Sequence, residues 1–135
     1  MENLSIEQTK FTPEILFDYS KRVLIIKGES YPENTAEFFK PVFKWIKVYF
    51  TSKSSENTIV NVELYYFNSS SSKVLMNLFE ELDIAAENGH SITVNWIYDP
   101  EDEDSLEFGE EFAEDITNLE FNLSPHPDVS DMTQP

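Results

Sequence analysis

Two segments of this chain alternate in polarity with a period of two, and a helical stripe lies between them. In "TIVNVELYYF" (58–67), Val60, Val62, Leu64 and Tyr66 fall on one face and Asn61 and Glu63 on the other. "SITVNWIY" (91–98) sets Ile92, Val94, Trp96 and Tyr98 against Thr93 and Asn95. Between them Val74, Leu75, Leu78, Phe79 and Leu82 recur at helical spacing, until "ENG" at 87–89 ends the run. A strand–helix–strand unit of this kind is a crossover, which joins parallel strands and is right-handed. Strands buried on both faces would read as continuous apolar runs. The polar face of each strand therefore predicts a sheet covered by helices mainly on one side.

The rest of the chain fits around that unit. Residues 1–12 are polar and are expected to fray. "PEILFDYS" (13–20) and "RVLIIKG" (22–28) read as the two strands of a hairpin, and "LEFNL" (119–123) as a last short strand. "ENTAEFFKPVFKWIKVYF" (33–50) carries Phe38, Phe39, Val42, Phe43, Ile46 and Phe50 at helical spacing, with Pro41 expected to kink or break it. Trp45 and Tyr49 lie beside that stripe and are assigned to the core. "DPEDEDSLEFGEEFAEDI" (99–116) reads as a third helix opening in acid, with Gly109 weakening the pattern. The order is β-β-α-β-α-β-α-β, an α/β domain over 13–123 with a mixed sheet of four or five strands. Residues 124–135 form a polar tail expected to be mobile.

Composition narrows the chemistry. The net charge of −17, from 9 basic and 26 acidic residues, is unsuited to phosphate backbones or anionic membrane surfaces. No segment is apolar enough to span a membrane, and the first residues do not read as a signal peptide. With no cysteine there is no thiol nucleophile, thiolate metal site or disulfide, which fits a reducing, cytoplasmic setting. His90 and His126 lack a second ligand at metal spacing, and the acidic run 99–104 lacks the glycine and distal glutamate of a calcium loop. No cofactor is expected. The three glycines are isolated, so no phosphate-binding loop or nucleophile elbow is present.

One feature remains: "YYFNSSSSKVL" (65–75) places four serines where a strand turns into a helix. The plain reading is an over-provided cap, because one Asx or Ser side chain satisfies an orphan amide. Charge points elsewhere. The chain holds 26 acids, yet none lies from Leu64 to Phe79, where a helix N-terminus would welcome them. The one nearby charge is Lys73. A helix entry with spare hydroxyls, no acid and a lysine suits an anion, and a phosphoserine would supply one.

Together with "GESYPENT" (28–35) and "VNWIYD" (94–99), "LYYFNSSSSK" (64–73) resembles the SiaC family of bacterial biofilm-regulation phosphoproteins. The resemblance spans roughly residues 10–123 and implies a single domain with a fold like the STAS domain of anti-sigma-factor antagonists. It implies a non-catalytic protein, phosphorylated at the corner hydroxyl by a partner kinase and reset by a phosphatase. Its phosphorylation state would select a downstream partner such as a diguanylate cyclase. The hydroxyl after the corner asparagine is Ser69, where better-known members carry threonine; Ser70 and Ser71 are the alternatives. Asn68, Ser70, Ser71 and Lys73 would support the phosphate. Unlike the Asp-Ser-Ser-Gly corner of STAS domains, this one has Asn68 in place of the acid and no glycine. Ser30, Tyr31, Pro32, Glu33 and Asn34 are read as a rigid helix entry or a partner-contact edge. The alternative from another class is a small-molecule-binding or hydrolytic domain that uses the acidic and aromatic residues.

Overall fold

The computed structural model describes residues 1–52 and 54–126. Its elements are β1 (Leu4–Ile6), β2 (Glu14–Asp18), β3 (Val23–Ser30), α1 (Thr35–Tyr49), β4 (Thr58–Phe67), α2 (Ser69–Glu87), β5 (Ile92–Tyr98), α3 (Glu103–Glu114) and β6 (Glu120–Pro125). They form one mixed sheet in the spatial order β1-β2-β3-β4-β5-β6. The pairs β1–β2 and β2–β3 are antiparallel, and every pair from β3 to β6 is parallel. The two alternating segments are thus parallel neighbours, with Asn61 opposite Asn95.

This order explains the one-sided cover. Each crossover advances one strand in the same direction, so right-handed connections put α1, α2 and α3 on the same face. Leu24, Ile26, Val60, Val62, Leu64, Ile92, Val94 and Trp96 point to that face and are buried. On the open face the polar partners organise themselves. Asn95 donates to Asn61 at 2.9 Å and Asn122 to Asn95 at 3.0 Å, an amide ladder across three parallel strands.

Five expectations need correction. The sheet has six strands, not four or five. The added strand is β1, inside the segment expected to fray, where Leu4–Ile6 pair with Ile15–Phe17 and Trp45 Nε1 donates to Glu2 O at 2.8 Å. α1 is not broken at Pro41. The ring removes the bond to the Glu37 carbonyl, but Glu37 and Pro41 both face solvent, where water replaces it. Tyr66 does not share the buried face of Leu64: it is 54% exposed, because the β3–β4 register slips between Gly28 and Glu29 and leaves Tyr65 as an extra residue. Trp45 and Tyr49 are core, as expected, and stack at 4.8 Å. Gly109 has a reason as well. A Cβ there would stand 2.5 Å from Trp96 Cδ1, and the same indole donates to Ser105 O at 2.9 Å. The expected tail begins too early: Ser124 and Pro125 belong to β6, paired with Ile97 and Tyr98, while residues 127–135 lie outside the described residues.

Candidate functional site

β4 ends at Phe67, and α2 begins two residues later. Asn68, in extended backbone, is the cap: its Oδ1 accepts from Ser71 N at 2.9 Å, and its carbonyl accepts from Ser72 N at 2.9 Å. With the cap supplied by Asn68, the serines are freed for other roles, and they diverge. Ser71 is fully buried and donates from Oγ to Ser30 O at 2.9 Å. Its single proton is then spent, so the second contact, Ser30 Oγ to Ser71 Oγ at 2.8 Å, has Ser30 as donor. Ser30 O also accepts from Asn68 N at 3.1 Å. The end of β3 is therefore latched to the corner through three hydrogen bonds.

Ser69 and Ser70 are exposed at the first two positions of α2. Helix geometry gives the first amides no intrahelical acceptor, and Asn68 takes that of Ser71. Lys73 is exposed one turn beyond Ser69, at the i+4 spacing that puts both on the same helix face. No acid stands in the first turn of α2, whereas α3 has Glu103 and Asp104 there.

The segment 30–34 abuts this corner. Ser30 is the latch and is buried; Pro32 is buried, and Tyr31 is half-buried. The Tyr31 ring lies 5.4 Å from Tyr66 and 5.3 Å from Phe11, both edge-on. Asn34 caps α1, accepting from Glu37 N at 3.1 Å and donating back to Glu37 Oε2 at 3.2 Å. Glu33 is exposed beside it. Two sequence motifs that stand 41 residues apart thus meet at the carboxyl ends of adjacent parallel strands. The Ser30 latch and the outward turn of Tyr66 were not legible beforehand. Gly28, at φ 128° beside the register slip, is the one local signal of the latter.

Carboxylates gather elsewhere, around a cavity of about 470 Å³ lined by Glu63, Tyr65, Asp99, Glu101, Asp102 and Ser105. Three of the four carboxylates are engaged within the fold, each through one oxygen. Glu63 accepts from Tyr65 at 2.5 Å and faces Lys27 Nζ at 3.8 Å and His126 Nε2 at 3.4 Å. Burial, and the hydrogen bond to Glu63, push the Tyr65 hydroxyl up to about 12. Asp99 and Asp102 each accept a backbone amide of their own turn. Among the described residues no three His, Asp or Glu side chains come together to hold a metal, and no helix is long and apolar enough to cross a membrane.

Comparison with known proteins places the chain in a family. Residues 6–126 match the model of the SiaC family, described as a regulatory phosphoprotein. An uncharacterised protein of Pseudomonas aeruginosa is 33% identical over 126 residues, covering 93% of this chain and 98% of its own. The structure of SiaC from the same organism is 32% identical with a TM-score of 0.84, over 93% of this chain and all of that one. A crystal structure of the diguanylate cyclase SiaD in complex with its activator SiaC matches with a TM-score of 0.84 and 32% identity, over 91% of this chain and 99% of that one. The chain belongs to the SiaC family of regulatory phosphoproteins.

Proposed function

We propose that this chain is a non-catalytic cytoplasmic switch, phosphorylated on Ser69, whose unphosphorylated form binds and activates a diguanylate cyclase. A partner kinase adds the phosphate and a phosphatase removes it. The observation that carries the reading is the division of labour at the corner. Asn68 caps, Ser71 latches, and Ser69 is left exposed with a hydroxyl that nothing in the fold requires. Ser70 shares the exposure, but Ser71, with its side chain fully buried, is closed to a kinase. A complex of related proteins joins a diguanylate cyclase to its activator, which gives the downstream partner its class. The crossovers on one face, with a hydroxyl corner at a strand's carboxyl end, also support the likeness to STAS domains.

The switch is electrostatic. A phosphate on Ser69 adds about −1.5 to −2 charge, and the α2 amides and Lys73 would receive it within the chain. A partner that covers the uncharged corner would have to desolvate that dianion, at several kcal/mol unless it brings cations. The other candidate, a domain acting through its carboxylates, has less support, since Glu63, Asp99 and Asp102 around the 470 Å³ cavity each already hold a group of the fold. The test is intact mass after incubation with the cognate kinase and ATP. The chain gains one phosphate, Ser70→Ala gains it equally, and Ser69→Ala gains none. Incorporation that survives Ser69→Ala and is lost in Ser70→Ala would move the site by one residue.

A further inference from the structure

The net charge of −17 is not spread over the chain. Residues 1–73 hold nine acids and all nine Lys and Arg, whereas residues 74–135 hold the other 17 acids and no Lys or Arg. Because the strands lie in the sheet in chain order, this division is spatial as well. The excess falls on the α2–α3 side of the molecule. One-sided charge of this kind draws partners of opposite sign.

We infer that the groove between α2 and α3 docks a basic amphipathic segment of a partner protein, with an apolar side chain seated in the groove and Lys or Arg on its rim. The groove encloses about 260 Å³. Its floor is Phe79 and Phe112, buried and edge-on at 5.2 Å. Met76, 50% exposed, and Ile116 add apolar walls. Glu80, Glu111 and Asp115 stand exposed around it. Among the described residues no ion pair engages any of these three. The fourth acid, Asp83, is already committed to the amides of Thr117, Asn118 and Leu119.

The helix ends point the same way. A helix C-terminus favours a cation in its last turn. α1 has Lys47 there, while α2 and α3 have none, and α3 closes on Asp115 instead. Folding alone asks for the opposite charge. A cation brought by a partner satisfies the α3 dipole and the rim together, and the stem of an Arg or Lys can lie along Met76 and Ile116.

Two other occupants fit worse. The chain's own residues 127–135 carry Asp128 and Asp131 and no base. A second copy offers the exposed Lys40, Lys44 and Lys47 of α1, but it brings its own charge of −17, which opposes self-association. The inference does not depend on phosphorylation of Ser69.

The experiment follows the fluorescence anisotropy of a labelled helical peptide of about 18 residues, Leu on one face and Arg on the other, against the purified full-length chain. The peptide binds saturably, and Glu80→Gln with Glu111→Gln weakens it at least tenfold. Glu107→Gln with Glu110→Gln removes the same charge from exposed positions of α3 outside the groove, and changes the affinity less than twofold. Met76→Ala, which alters no charge, weakens binding at least threefold. Equal weakening by the two acid pairs overturns the groove and leaves only diffuse attraction. Equal affinity for a peptide with Ser in place of Leu overturns the apolar anchor, and equal affinity for one with Glu in place of Arg overturns the basic rim. Sedimentation gives the parent and the Glu80→Gln, Glu111→Gln variant the same mass. Association in the parent that this variant loses would make a second copy the occupant and overturn the proposal.

Discussion

The entries to α2 and α3 share one plan. In each, an Asx side chain ahead of the helix accepts from the amide of a serine three residues on, Ser71 from Asn68 at 2.9 Å and Ser105 from Asp102 at 3.1 Å. Both serines are buried. Both helices open at the carboxyl end of a parallel strand. They differ in charge. Behind its cap α3 places Glu103 and Asp104, anions that the helix dipole favours, while α2 places only hydroxyls. Nothing in helix formation asks for that difference. It is the difference that the proposed phosphorylation of Ser69 would account for, and the two buried serines, alike in position, differ in their bonding.

The largest effect should come from an acid that is fixed rather than withheld. Asp83, near the end of α2, is 9% exposed, and its carboxylate accepts the amides of Thr117, Asn118 and Leu119 behind α3. Burial pushes its carboxyl up, but those three amides and the Asn118 side chain together outweigh it and hold the group below the usual carboxylate range. Asp83→Ala should cost about 2–3 kcal/mol by chemical denaturation, because it strips a charged acceptor from several donors at once. The sign with pH follows from the depressed value. The contribution is complete above the unfolded value of about 3.9 and is lost as pH falls through the lower folded one. The parent's melting temperature should therefore drop more steeply below about pH 4 than that of Asp83→Asn. Parallel curves would show that this acid is as dispensable as those at the entry to α3.

Ser71→Ala should cost about 2 kcal/mol, because it removes the bond to Ser30 O and leaves a buried Ser30 hydroxyl with no acceptor. Slower phosphorylation of Ser69 in this variant would show that the latch positions the acceptor. A loss under 0.5 kcal/mol would mean that the corner holds its shape without the latch, and the comparison with α3 would lose half its content.

How much of this was legible beforehand depended on distance along the chain. The crossover over 58–98 was readable because period-two and helical patterns are local, and its strands are parallel neighbours with Asn61 and Asn95 on the less buried face, as expected. The N-terminal strand was not. It is three residues long, and its main-chain pairing to β2 leaves no periodic signature. Tyr66 was misassigned because alternation assumes an unbroken pleat, and the slip arises only when β4 meets Gly28 on its neighbour. The corner could be found as a cluster of hydroxyls without acid. Which serine was free and which was buried depended on Ser30, a partner that only the topology delivers.

A smaller effect separates stability from binding at α2. Ser69→Asp places an anion at the first position of the helix, as Glu103 does in α3, and should stabilise the fold by about 0.5 kcal/mol at low salt. The same change should weaken the diguanylate cyclase complex at least tenfold, about 1.4 kcal/mol in the opposite direction. Such opposed signs in one variant are what a site shaped for function rather than for folding would give. If Ser69→Asp lowers both stability and affinity, the weaker binding is explained by damage to the helix entry.

The smallest effect is expected at the twin of Ser71. The Ser105 hydroxyl is buried and has no hydrogen-bond partner among the described residues. Its carbonyl, not its side chain, holds the Trp96 indole, and its amide takes the Asp102 cap. Ser105→Ala retains both of those backbone contacts and removes only an unsatisfied buried hydroxyl. The cost of desolvating that group is recovered, while the core loses little volume. The variant should therefore unfold within 0.5 kcal/mol of the parent, on the stable side if it differs at all, where Ser71→Ala loses about 2 kcal/mol. The two substitutions are chemically identical and occupy the same position behind the same kind of cap. A gap between them reports the worth of the contact to Ser30 plus the small gain from removing the unsatisfied Ser105 hydroxyl, since helix propensity and capping cancel in the pair. Equal losses would locate the cost in the helix entry itself and leave the latch without a measurable share.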